Sequence, residues 1–251
     1  YILKNQVKNL RIQTRIVEKK LKGFMVSTMK VKLISYSQPV EGLEELKNIQ
    51  EVVAYCARVS NPDNQLNAET SEKLLKYLIR EKHWSPFEMV SVCMEIETTR
   101  DIARQILRHR SFSFQEFSQR YANPDDSLGW ENREARLQDT KNRQNSIEVE
   151  DNALQQKWLG QQDLVRFASI KAYNWALERG IAKEQARAVL PEGLMQSRIY
   201  MNGTLRSWIH YIELRSSNGT QKEHRIIARA CADEIVKIFP MAESYLAPPR
   251  R

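Results

Sequence analysis

The chain's 251 residues carry a formal net charge of +8 at pH 7, with 41% hydrophobic and 28% charged residues. That length buries a substantial core as one large domain or two small ones, and with no run of eighteen apolar residues it offers no transmembrane helix. Cys56, Cys93 and Cys231 stand far apart with no Cys-x-x-Cys, a pattern of buried thiols in a reducing compartment, while the basic balance suits anionic ligands or nucleic acid.

Residues 1–24 are rich in Lys and Arg with Glu18 the only acid, and Ile12, Ile16 and Val17 form a helical stripe. Residues 1–29 are expected to be an extension ahead of a native start at Met25 or Met29. A Ser-poor transit peptide, or a basic arm for RNA or a partner, is the other reading.

Alternation over 31–35 predicts a first strand. Leu46, Ile49, Val53 and Ala57 at helical spacing predict a helix over 43–59. Asn61-Pro62-Asp63-Asn64 is a turn, and a second helix over 71–82 turns Leu74, Leu75, Leu78 and Ile79 inward. Val90, Val92, Met94 and Ile96 alternate with polar neighbours, so 89–98 reads as a half-buried strand. Thr98 or Thr99 caps the next helix, whose apolar face holds Ile102, Ala103, Ile106 and Leu107. The stretch 123–156 is polar, Arg- and Gln-rich, and reads as a loop or excursion leading to a helix start. A long helix over 163–179 stops at Gly180, and a short one over 182–190 ends at Pro191. A strand over 194–202 and helices over 204–214 and 221–239 complete the pattern. The fold class is α+β: a small antiparallel or mixed sheet packed with several helices.

Arg108-His109-Arg110-Ser111-Phe112-Ser113-Phe114-Gln115-Glu116-Phe117-Ser118-Gln119-Arg120-Tyr121 interleaves three Arg, one His and three Ser with aromatic rings. Guanidinium forks suit phosphate oxygens and aromatic faces suit flat heterocycles, so the segment points to a phosphorylated, planar ligand. Gln105, Arg108 and His109 are three or four positions apart and share a helical face. If the chain beyond Ser111 is extended, Glu116, Ser118 and Arg120 also share a face, able to read a sugar hydroxyl and a phosphate together. The bland alternative is a helix end followed by a loop with Arg110 or Arg120 paired to Glu116.

This segment resembles the signature R-H-R-x-x-S-x-N-E-x-S-x-R of the flavin-dependent thymidylate synthases, matching at Arg108, His109, Arg110, Ser113, Glu116, Ser118 and Arg120, with Gln115 where the family has Asn. Three further segments are similar to family motifs: His83-Trp84-Ser85-Pro86-Phe87-Glu88, Ala186-Arg187-Ala188-Val189-Leu190-Pro191, and Leu205-Arg206-Ser207-Trp208-Ile209-His210-Tyr211 through Arg215. The resemblance covers roughly 31–246 and departs at Asn202-Gly203-Thr204-Leu205-Arg206, where three residues separate Asn from Arg, and in the longer stretch 216–223.

The resemblance implies one catalytic domain over 30–251 with an insertion-like 123–160, working in the cytoplasm (a host's, if the protein is viral) as a homotetramer with sites shared between subunits. It implies reductive methylation of dUMP to dTMP, with carbon from 5,10-methylenetetrahydrofolate and hydride from reduced FAD, recharged by NADPH. No cysteine nucleophile, metal, membrane or nucleic acid is implied. Gln105, Glu116, Ser118, Arg120, Arg187 and Arg215 look like dUMP binders, with Ser118, Arg120 and a neighbouring subunit's Arg187 on the phosphate and Arg215 at the pyrimidine. Ser85, Glu88, Arg108, His109, Arg110, Ser113, Arg206, His210 and His224 look like the FAD surroundings, and His83 like the residue beside the folate. The catalytic candidates are Arg215, His83 and Ser118.

Each residue alone has a plainer role. His83 fits a cap on the preceding helix, Ser85 and Glu88 a capping pair, and His210 a core histidine. Arg206 and Arg215 fit solvated helix charges, His224 a charged helix start, and Arg187 a partner for Glu184. Two other functions also stay open: a basic nucleic-acid binder using the N-terminal arm and the Arg-aromatic segment, and a nucleotide-binding regulator without catalysis.

Overall fold

The computed structural model describes residues 29–246, so the expectations for residues 1–28 lie outside the described residues. Its centre is a four-stranded antiparallel sheet in the order β1-β2-β6-β3: β1 Lys30–Tyr36, β2 Ser91–Thr99, β3 Phe112–Glu116 and β6 Gln196–Thr204. Period-two alternation decides which face is covered. Val92, Met94, Ile96, Ile199 and Met201 are buried on one side, while Glu95, Glu97 and Arg198 stand on the other, where Arg198 bonds Glu97.

Helices cover the apolar face: α1 Ile49–Ala57, α2 Ser71–Arg80, α3 Arg100–Ile106, α6 Leu205–Arg215 and α7 Lys222–Ile238. Trp208 and Tyr211 of α6 and Ile227, Cys231 and Ile235 of α7 fill the core with the sheet residues. Ile227 and Ile235 each contribute about 1.5–3 kcal/mol by burial. The indole N–H of Trp208 donates to the Val92 carbonyl at 2.9 Å, so its burial leaves no orphan donor. Gly203 faces Phe112 across the β3–β6 pair, and a Cβ there would lie 2.4 Å from the ring. Only glycine lets the ring lie against that strand.

Several predicted boundaries move for local reasons. The first helix begins at Ile49 rather than 43, because Asn48 accepts from Glu51 N at 3.1 Å while the Glu51 carboxylate takes Lys47 N at 2.5 Å. The long helix, α4, runs Asn152–Glu178, starting eleven residues before the predicted 163, with Asp151 accepting from Ala153 N and Leu154 N. The stretch 182–190 divides into α5 Lys183–Ala186 and a 3-10 turn at Arg187–Val189. Within 123–160 lies a hairpin, β4 Arg136–Gln138 paired with β5 Ser146–Glu148, too short and exposed to carry a hydrophobic period. No helix among the described residues is long and apolar enough to cross a membrane.

Candidate active site

Helix α3 buries Ile102, Ala103 and Ile106 and leaves Gln105 half-buried at its edge. The helix ends at Ile106, before the Arg-His-Arg triplet, so Gln105, Arg108 and His109 do not share one helical face as expected. His109 turns inward, its N–H closing on Ile106 O at 3.0 Å, while Arg108 and Arg110 are exposed. The side chains of Arg108 and Arg110 carry no hydrogen bond or ion pair among the described residues.

The His109 ring sits edge-on to Tyr211, with centroids 4.9 Å apart, and accepts a 2.9 Å hydrogen bond at Nε2 from Arg215 Nε in the last turn of α6. Accepting there requires a neutral imidazole with its proton on Nδ1. Burial, reinforced by the Arg215 charge, lowers the His109 pKa to about 4, in agreement. Arg215 is therefore anchored at Nε, with its two terminal nitrogens directed elsewhere. It is not a merely solvated helix charge.

Beside this pair runs a polar chain. Tyr211 Oη lies 3.1 Å from His224 Nε2, and His224 Nδ1 lies 3.3 Å from Gln105 Oε1. Gln105 Nε2 donates to Gln221 Oε1 at 2.8 Å, and Gln221 Nε2 donates to Glu223 at 2.9 Å. Glu223 is clamped by Arg136 at 2.5 Å and Arg133 at 3.1 Å, both from the 123–160 segment. Burial pushes the Glu223 carboxyl upward, but the Arg136 hydrogen bond and the Arg133 charge outweigh it and hold it at about 2. Burial, with the Arg215 and His109 neighbours, puts His224 at about 3. The His224 ring is thus a fully buried, neutral participant, not part of a solvated helix start.

A second group lies at the start of α6. Arg206 donates to Glu88 at 2.5 Å, and His210 packs edge-on against Trp84 at 4.6 Å. Burial and the Arg206 charge lower the His210 pKa. Ser85 to Glu88 form a 3-10 turn rather than a capping pair. The His83 N–H closes α2 on Leu78 O at 2.8 Å, so the backbone does the capping and the exposed imidazole, edge-on to Tyr77, keeps its nitrogens available.

A third group lies beyond β3. The strand stops at Glu116 and the chain turns at Ser118, with Tyr121 N and Ala122 N on Ser118 O, so Glu116, Ser118 and Arg120 do not share an extended face. Glu116 accepts from Ser197 at 3.0 Å and pairs with buried Arg100 at 3.4 Å, not with Arg110 or Arg120. Arg120 reaches Glu184 at 3.4 Å, both half-exposed, a weak pair that a ligand can displace. The Arg187 side chain pairs with nothing among the described residues, Glu184 included. The Ser118 Oγ receives only the Arg120 N–H at 3.3 Å, and no base activates it. No hydrogen bond, ion pair or ring contact among the described residues joins Ser118, Arg120 or Arg187 to Gln105, His109 or Arg215.

Sequence reasoning missed Tyr211, Gln221, Glu223, Arg133 and Arg136, whose partners are mostly distant in the chain. It also missed a cavity of about 740 Å³ between the β4–β5 hairpin and the start of α7, lined among others by Arg133, Arg143, Trp158, Gln221 and Arg225. The three thiols are free, and burial raises each pKa, so none is an activated nucleophile.

Fold and site together define an α+β protein in which the exposed Arg108 and Arg110 flank, in sequence, a neutral His109 tied to Arg215, with none of the three thiols activated. Residues 43–241 match the family described as thymidylate synthase complementing protein, and the chain belongs to that family. It is 51% identical over 212 residues to the probable flavin-dependent thymidylate synthase of Paramecium bursaria Chlorella virus 1, covering 84% of this chain and 96% of that protein. It is 49% identical over 222 residues to the flavin-dependent thymidylate synthase of Synechocystis sp., covering 87% and 99%. Its fold is similar to the crystal structure of a UMP/dUMP methylase PolB from Streptomyces cacaoi bound with 5-Br UMP, at a TM-score of 0.74 and 23% identity, covering 88% and 95% of the two chains.

Proposed function

We propose that this chain is a flavin-dependent thymidylate synthase that converts dUMP to dTMP, with 5,10-methylenetetrahydrofolate as carbon donor and NADPH as reductant. The observation that carries the reading beyond family membership is the Arg215–His109 pair, next in sequence to the unpaired Arg108 and Arg110, with no activated cysteine. A phosphorylated flavin fits this donor set. Arg108, Arg110, Ser113, Ser85, Arg206 and His210 would hold it, Glu88 orienting Arg206, and when bound it supplies a two-electron hydride reduction.

The chain's own groups then bind and polarise. Arg215, fixed at Nε by His109, offers its terminal N–H groups to negative charge developing on the pyrimidine. Ser118, Arg120 and Arg187 would hold the nucleotide phosphate, with Arg120 leaving Glu184 for the stronger acceptor. Gln105 and Glu116 would add polar contacts to the nucleotide, and the exposed His83 would lie beside the folate.

Residues 30–251 would form one catalytic domain, working in the cytoplasm as a homotetramer. Two observations support assembly. Helix α4 exposes Leu164, Val165, Phe167 and Trp175, a large apolar surface for a monomer, and the phosphate group of residues makes no contact with the Gln105–Arg215 group in its own chain.

The test is the visible spectrum of purified protein before and after anaerobic NADPH. A bound-flavin spectrum that bleaches, at a rate changed by dUMP, is expected; a colourless protein that takes up no FAD would sink the reading.

A further inference from the structure

The polarity of the buried chain from Tyr211 to Glu223 follows from one end. Glu223, held at about 2, is a carboxylate and can only accept. Gln221 must therefore present its NH2 to Glu223 and its oxygen to Gln105. Gln105 must then present its NH2 to Gln221 and its oxygen to His224, which donates from Nδ1. The His224 Nε2 lone pair is left to accept from Tyr211, whose phenol burial keeps protonated. Every hydrogen bond in the run thus points the same way, toward Glu223.

Gln105 is left with one N–H and one oxygen lone pair outside the chain, in a fixed order. Rotating its amide by half a turn would set oxygen against the Gln221 oxygen and NH2 against the His224 N–H, losing two bonds. The order is imposed from outside α3, because Glu223 is itself held by Arg133 and Arg136 of the 123–160 segment.

We propose that Gln221 and Glu223, clamped by Arg133 and Arg136, are positioning residues that fix the Gln105 amide for the nucleotide. This gives the 123–160 segment a part in substrate recognition, and it rests on the reading above that Gln105 touches dUMP.

The test measures dUMP affinity by calorimetry on the flavin-loaded protein, alongside flavin absorbance, Tm and the KM and kcat for dUMP. Q221L removes both the acceptor that Gln105 Nε2 requires and the donor to Glu223, and should weaken dUMP about tenfold, raising KM more than it lowers kcat, with flavin absorbance retained. Q221E keeps a carboxylate that accepts from Gln105 Nε2, so it should bind dUMP within about threefold of the parent while its repulsion from Glu223 lowers Tm. Parental affinity in Q221L, or a Q221E that binds dUMP as weakly as Q221L, overturns the proposal. Q105A separates the two layers of the argument: if it leaves dUMP binding unchanged, Gln105 is no nucleotide ligand and the proposal falls with that reading. If Q105A weakens dUMP and Q221L does not, the positioning role alone falls.

Discussion

At Arg120 the guanidinium is already ordered, 3.4 Å from Glu184 and 6.0 Å from the Tyr121 ring centroid. An exposed pair of this kind contributes 0–1 kcal/mol at most, so exchanging Glu184 for a phosphate costs little. Arg120→Ala should therefore weaken dUMP by about 1.5–3 kcal/mol while flavin stays bound, and parental dUMP affinity in calorimetry would refute the role. Gly203 makes the opposite case, a residue without a side chain that decides packing. The Phe112 ring that a Cβ would strike is itself set against Trp208 at 4.9 Å and Tyr211 at 5.9 Å, so it has nowhere to move. Gly203→Ala should cost about 1–3 kcal/mol by overpacking, read as a lowered Tm, and Phe112→Leu in the same chain should recover part of the loss. An unchanged Tm for Gly203→Ala would show that the strands part more easily than this contact implies.

At the level of elements, the 123–160 segment is held by an arrangement that composition does not reveal. Gln162 of α4 gives its NH2 to Arg133 O at 2.9 Å and takes Arg133 N at 2.6 Å; Gln155 does the same for Ala135 at 2.9 and 2.7 Å. Two glutamines seven residues apart on one helix face thus act as a strand's edge for residues 133 and 135. Gln162→Leu leaves one buried N–H and one buried carbonyl unsatisfied, at about 1–3 kcal/mol each. Faster hydrogen exchange over 133–138 is expected, with Tm falling; parental exchange there would mean the segment is held elsewhere. The sequence showed β1, β2 and β6, since one covered face forces alternation, but left the course of β3 open and missed β4 and β5; it also brought out the Arg-His-Arg segment by its unusual composition. The Asn48–Glu51 cap was missed, because the apolar spacing from Leu46 runs straight through it. Gln162 and Glu223 could not be found that way: a polar residue is recognisable as buried only once its partners, 29 and 87–90 residues off, are in place.

For the whole molecule, the proposed sharing of sites between subunits predicts complementation. Arg187→Ala and Arg215→Ala chains, each inactive alone, should regain part of the activity when unfolded and refolded together; no recovery would place both residues in one chain's site. Acid stability follows from the buried groups taken together. His109 and His224 have folded pKa values of about 4 and 3, below the ordinary 6.5. As pH falls through 6.5, the unfolded chain binds two protons that the folded chain refuses, so their stability contribution, complete above 6.5, is lost toward about pH 4 for His109 and about pH 3 for His224. Glu223, at about 2 against 4.5, acts in the same sense over a lower window: its contribution is complete above 4.5 and is lost as pH falls toward 2. Each refused proton steepens the loss by roughly 1.4 kcal/mol per pH unit. Thermal unfolding should show Tm flat near pH 8 and falling steeply between 6.5 and 4, with the fall shallower in a His224→Gln variant. A Tm independent of pH over that window would mean that the two imidazoles take up protons as readily in the folded chain as in the unfolded one.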